Sequence, residues 1–192
     1  MTDTRKHTIK TLDIICENNM IPKHSPHSHL NKKTLFKRWD LITRYLAIEN
    51  HFGENDYGWE LFRKLRTHQA SEFGDGTIQS EYDQSVRTNF ENLIKSVETS
   101  GYDRKYPLIV HETGLRINGG WLRFACCLYF GIDEVPCVFD MLNPNPIYSL
   151  TWMKTEVGYT AKEIRLIREG HTRMFAKLEA SILGEGNDKS DE

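Results

Sequence analysis

The residues best suited to chemistry lie within one stretch, PLIVHETGLRINGGWLRFACCLYFGIDEVPCV, from Pro107 to Val138. Gly119 and Gly120 stand directly before an apolar run that begins at Trp121, and Arg123 follows within its first turn. Adjacent glycines tolerate positive φ and let bare backbone N–H groups approach a ligand, while a helix beginning there adds the equivalent of about half a positive charge. The natural guest is an anion, and the Arg123 guanidinium is placed to fold back over a phosphate or carboxylate. His111 and Glu112 leave the preceding apolar run; if the hairpin is short they emerge at the glycine end, where either would serve as a base or a magnesium ligand. Arg116 and Asn118 would complete such a pocket. The same residues also admit a plainer role, with a tight Gly-Gly turn, a solvated Arg123 and a polar hairpin tip at His111-Glu112-Thr113-Gly114.

The elements that must position these residues follow from pattern. Leu108-Ile109-Val110 is a short buried strand, and Leu115-Arg116-Ile117 is a second one with alternating character. Asn118-Gly119-Gly120 breaks the pattern. Trp121 to Phe130 is too long and too uniformly apolar for a strand, so it is expected to be a buried helix closed by Gly131. Val135 to Phe139 returns as a strand. Upstream, Val86, Phe90, Leu93, Ile94 and Val97 mark an amphipathic helix ending at Gly101.

Tyr106 to Val110, then Ile117-Asn118-Gly119-Gly120-Trp121-Leu122-Arg123-Phe124-Ala125, then Gly131-Ile132-Asp133-Glu134-Val135-Pro136 resemble the core of the ParB/sulfiredoxin-like superfamily. The shared pieces are a proline-led strand, a G-x-x-R turn into a helix, an alanine-bearing buried helix and a Gly-hydrophobic-x-x-Val-Pro exit. The likeness covers roughly residues 86 to 139. It implies a site for the phosphates of ATP, ADP or CTP at Gly119, Gly120 and Arg123, with an upstream arginine such as Arg66 pointing toward them. The spelling ACCLYFGI is most similar to a subgroup associated with bacterial surface-polysaccharide loci. Trp121 stands where sulfiredoxins carry a reactive cysteine, and Leu122 where many members carry histidine, so the reductase reaction is not expected. A binding-only descendant stays open.

The remaining chain narrows the choices. Its 192 residues suit one compact core with an elaborate extension, and a formal charge of −2 provides no global attraction for DNA or anionic lipid. Four cysteines without paired short spacing argue against a disulfide scaffold or a zinc module; Cys126 and Cys127 fall inside the apolar helix as small buried hydrophobes. No leader and no long apolar span is seen, which suggests a cytoplasmic protein. Leu12 to Cys16 reads as a short strand. His24, His27 and His29 sit in a proline-containing polar stretch that provides poorly fixed geometry for a metal, and their role is open. Lys32, Lys33, Lys37 and Arg38 form a small basic cluster of the kind that is usually a solvated face.

Helices are expected from Leu35 to about Gly53, with Leu35, Trp39, Ile42 and Leu46 on one face and Arg44 off it, and from about Asp56 to Gln69. Ala70 to Ser85 reads as a loop. Arg87 is a possible second phosphate contact. A last helix from about Thr160 to Leu183 opens on a Thr160/Glu163 capping box and buries His171 on its stripe, and residues 184–192 read as a disordered tail.

These readings describe an α+β chain: a helical N-terminal extension over residues 1–85, a small mixed sheet of ParB/sulfiredoxin-like type over 86–142, and a C-terminal helical segment over 143–183. The expected function is a nucleotide-dependent phosphotransferase using ATP or ADP, with magnesium, on a small hydroxyl compound such as an amino acid or sugar. The alternative is a nucleotide-binding regulatory or DNA-associated module, using CTP or ATP and lacking kinase activity.

Overall fold

The computed structural model describes residues 3–11, 38–53, 56–73, 79–111, 117–140 and 148–185. Among them are four strands and six helices. The strands are β1 (Asp3–Lys10), β2 (Leu108–His111), β3 (Ile117–Gly119) and β4 (Glu134–Asp140). The helices are α1 (Trp39–His51), α2 (Tyr57–Phe73), α3 (Gln79–Ser100), α4 (Trp121–Phe130), α5 (Leu150–Thr155) and α6 (Ala161–Glu185). The α+β class read from the sequence is what is found.

The sheet runs in the order β1-β4-β2-β3. β2 and β4 are parallel, joined through β3 and α4, while β1 and β3 are antiparallel to their neighbours. Leu108 and Val110 are buried and Ile109 is exposed, the alternation of a strand with one covered face. Against the sheet lies α4, whose Phe124, Ala125, Cys126 and Cys127 are wholly buried. Each large apolar side chain sequestered in this way contributes about 1.5–3 kcal/mol. Gly131 ends α4 in the left-handed conformation, φ +67°, as the sequence suggested.

The N-terminal extension is not wholly helical. β1 adds an edge strand to the sheet, with His7 opposite Cys137 and Ile9 opposite Val135. It escaped the sequence reading because DTRKHTIK is mostly polar and its partner is distant in the chain. Leu12 to Cys16, the stretch read as a strand, lies outside the described residues, as do the histidine cluster and residues 186–192; Gly184 and Glu185 belong to α6.

α1 packs against α2, α4 and α6. Every residue from Asp40 to Ile48 is buried, so this helix has no solvated face in its middle. Its junction with α2 is close enough that a Cβ on Gly58 would come within 2.1 Å of the Leu46 carbonyl oxygen, and the Gly58 N–H donates to Asn50 Oδ1. The expectation of a loop from Ala70 to Ser85 is corrected: α2 continues to Phe73 and α3 begins at Gln79. The polar residues from Gln79 onward are compatible with a first helical turn.

At the other end of the chain the Thr160/Glu163 capping box forms. Glu163 Oε2 accepts from the Thr160 N–H at 2.6 Å, and Thr160 Oγ1 accepts from the Glu163 N–H at 3.2 Å. His171 is buried between the rings of Trp39 and Phe175, with centroids at 4.9 and 4.5 Å, the role of a core histidine.

Candidate functional site

The glycine turn is built as a helix start. β3 extends through Gly119, two residues further than its pattern suggested, and Gly120 then takes φ +94° and ψ +21° as the N-cap of α4. Only glycine adopts that conformation without penalty, and a Cβ there would also meet Leu108 Cδ2 at 2.6 Å. The first backbone N–H groups of α4 have no intrahelical acceptor and present the positive end of the helix dipole.

Arg123 folds back from the first turn, as expected, but its Nη1 is already engaged. It donates to the carbonyl oxygens of Tyr106 and Pro107, the latter at 3.1 Å, and so straps α4 to the segment leading into β2. The hydroxyl of Tyr102 donates to the same Tyr106 oxygen at 2.7 Å. The rest of the guanidinium lies over Gly120, with Nη2 3.3 Å from the position a Cβ would occupy.

Beside this turn opens a cleft of about 480 Å³. Its lining includes three guanidiniums, Arg44, Arg66 and Arg123, together with Gly120 and Asn89. The apolar and aromatic lining comes from Val86, Leu93, Leu122, Trp121 and Tyr106. The cleft therefore collects three residues read from the sequence, Gly120, Arg123 and Arg66, from α2 and α4. Arg66 is half-buried and donates to Gln69 Oε1 at 3.0 Å.

Arg44 is the residue that sequence reasoning missed. It is 95 % buried and belongs to a cluster with Arg38 and Asp40. Both guanidiniums donate to Asp40 Oδ2 at 2.8 Å, and Arg44 also donates to the Asp40 carbonyl at 2.7 Å. Arg38, assigned above to a solvated basic cluster, is 4 % exposed and lies with its guanidinium carbon 3.7 Å from the centroid of the Trp121 ring. The i, i+4 spacing of Asp40 and Arg44 was the available signal. Burial pushes the Arg44 pKa down, and the neighbouring Arg38 and Arg66 charges act in the same direction against the opposing pull of Asp40. Guanidinium basicity is high enough that the group stays charged near neutrality.

The other expected residues are elsewhere. Gly119 sits opposite Ile109 and Ile117 opposite Val110, so β2 reaches His111 at the end remote from Gly120. His111 lies two residues along the strand from Ile109, about 7 Å. The expectation that His111 emerges beside the glycine turn is corrected by this register. His111 is instead paired with Asp140 across β4, and Asn118 Nδ2 donates to Asp140 Oδ1 at 2.6 Å. Glu112 and Arg116 lie outside the described residues. Arg87 does not line the cleft: it pairs with Glu91 at 2.9 Å and Asp56 at 3.4 Å and covers the Trp59 ring. Lys64 is bound to Glu163.

Among the described residues no group of three His, Cys, Asp or Glu side chains is arranged to hold a metal, and no helix is long and apolar enough to cross a membrane. No family model, no curated protein and no solved structure matches the chain.

Proposed function

We propose that the chain binds a nucleotide, ATP, ADP or CTP, in this cleft, with the phosphates held by its arginines and the glycine turn and the nucleoside against its apolar residues. The observation that carries this reading is the lining itself: among the described residues it offers three guanidiniums and a helix N-terminus but no carboxylate. Three guanidiniums in one lining favour an anion, and apolar residues in the same lining favour a ligand with one charged and one flat, weakly polar end. The reading agrees with the resemblance to the ParB/sulfiredoxin-like superfamily, which implies phosphates at the same turn.

Transfer of a phosphoryl group to a small hydroxyl compound is the catalytic form of the proposal. It needs a base for the acceptor and charge neutralisation at the phosphates. The described lining supplies the second and contains no histidine or carboxylate for the first. Magnesium, likewise, would find no carboxylate there and would come with the nucleotide's own oxygens. The binding form, a nucleotide-responsive module, is therefore the better supported of the two, and the net charge of −2 favours a DNA-independent role.

Thermal unfolding with ATP, ADP, CTP and GTP, each with and without magnesium, tests the proposal. A ligand at a hundred times its Kd stabilises the folded state by about 2.7 kcal/mol. At least one nucleotide is expected to raise Tm in the wild type and to lose that effect in Arg66→Ala. No shift with any of them overturns the reading. Labelled phosphate appearing on an amino acid or sugar would restore the catalytic form.

A further inference from the structure

Hydrogen-bond donors are plentiful among the side chains that line the cleft, and acceptors are scarce. The guanidiniums of Arg44, Arg66 and Arg123 donate and never accept, and the Trp121 indole only donates. Val86, Leu93 and Leu122 do neither. Among the described residues, the lining side chains hold two oxygen atoms, Asn89 Oδ1 and the Tyr106 hydroxyl. Asn89 alone sets an acceptor beside an N–H donor in one flat group.

α3 positions that amide. Val86, Asn89 and Leu93 follow one another at i, i+3 and i+7, so the face of α3 that reaches the cleft is apolar on either side of a single amide. Within a helix the backbone N–H and C=O groups bond to one another, so residue 89 meets the cleft through its side chain. Asn89 is exposed where its neighbour Phe90 is wholly buried, which sets it at the border of the core-facing stripe. Among the described residues no hydrogen bond engages its amide. A sugar, with hydroxyls on several sides, would bring more polar groups to this face than it can pair, and an acyl chain would leave the amide unused. A heterocyclic base, apolar on its faces and polar at its edge, matches both features.

We infer that Asn89 is the residue that reads the base, and that it selects adenine. This rests on the reading of the cleft as a nucleotide site and names the group that chooses among nucleotides. Adenine carries one exocyclic polar group, its amino group, with a ring nitrogen acceptor on each side of it. The amide oxygen accepts from the amino group while the amide N–H donates to the adjacent ring nitrogen, the paired contact by which asparagine recognises adenine. Guanine, cytosine and uracil each carry two exocyclic polar groups, and one amide flanked by apolar side chains leaves the second unmatched. A carbonyl oxygen could turn to any donor of the lining, whereas an amino group has only the oxygens of Asn89 and Tyr106 among these side chains to accept from it.

The test is calorimetric titration of the intact chain, and of Asn89→Leu, with ATP, GTP, tripolyphosphate and purine riboside triphosphate, which is ATP without its amino group. The wild type is expected to bind ATP about tenfold more tightly than GTP or purine riboside triphosphate. Asn89→Leu changes an exposed side chain to an apolar one of similar size. It is expected to lose that advantage for ATP and to leave purine riboside triphosphate and tripolyphosphate little changed. Deleting the amide and deleting the amino group should then fail to add, as they must if the two groups touch. Wild-type affinity for ATP that is matched by purine riboside triphosphate or by GTP overturns the assignment and leaves the nucleotide reading standing. A preference for ATP that survives intact in Asn89→Leu overturns it as well. If tripolyphosphate binds as tightly as every nucleotide, or if none of the four binds, the nucleotide reading falls and the assignment with it.

Discussion

Arg38 lies flat over Trp121, 3.7 Å from the ring centroid to the guanidinium carbon, while its Nη2 donates to Asp40 at 2.8 Å. One side chain thus links the start of α1 to the start of α4, and Asp40 supplies a carboxylate to the buried guanidinium. A stacked, desolvated guanidinium contributes about 2 kcal/mol through the ring alone.

Removing that carboxylate should be far more damaging than removing one of its partners. Asp40→Asn removes the carboxylate that both buried guanidiniums bind and is expected to destabilise the fold by about 3–5 kcal/mol. Arg44→Met, which leaves one charge of each sign, should be much milder. Urea unfolding of the two variants, compared at equal m, checks the order.

The glycines should rank by what a methyl group would meet. Gly131→Ala faces open space at φ +67° and should lose about 1–2 kcal/mol, the penalty of the left-handed conformation. Gly120→Ala adds a 2.6 Å approach to a leucine methyl and should lose about 2–5 kcal/mol. Gly58→Ala should be the worst, because its 2.1 Å neighbour is backbone and only separation of α1 from α2 relieves it. Thermal unfolding of the three single variants tests the ranking.

Glu163 should leave a mark on the acid limb of stability. Partial burial works to raise its pKa, but the Thr160 N–H, Lys64 and the Thr160 hydroxyl together hold it below the ordinary 4.5. The charged form is thus favoured by folding. Its contribution is complete above about pH 4.5 and is lost as pH falls through the lower folded value. In Glu163→Gln the decline of Tm below pH 4.5 should be shallower than in the wild type.

Three thiols should be silent in the native state. Burial pushes Cys126 and Cys137 up to about 12, and raises Cys127 further with help from its cysteine neighbours. At pH 8 a thiol reagent should modify at most one of the four cysteines quickly, and all four after denaturation.

What the sequence revealed was local. The apolar run from Trp121 to Phe130 with Gly131 behind it, and the Thr160/Glu163 pair, each carry their own start or stop signal, and both helices appear where those signals stand. Of the candidate site, Gly120 and Arg123 were read as neighbours along one turn, and Arg66, from α2, lines the same cleft. Arg44 was not, because its burial depends on α1 being enclosed by three other helices, and a charged residue off the apolar face reads as solvated until that enclosure is known. His111 was misplaced because a turn signal at His111-Glu112-Thr113-Gly114 does not by itself fix the register in which β2 and β3 pair. β1 was hidden for a related reason, since a mostly polar octapeptide becomes a strand only through its distant partner.

That partner has a consequence for the order of assembly. Lys10 pairs with Glu134, so among the described strands the first made is completed by the last. With ribosomes adding roughly 5–20 residues per second, β1 waits on the order of ten seconds for its neighbour. Its polar composition is suited to that interval, because an unpaired edge rich in lysine and threonine is a poor template for association with other nascent chains.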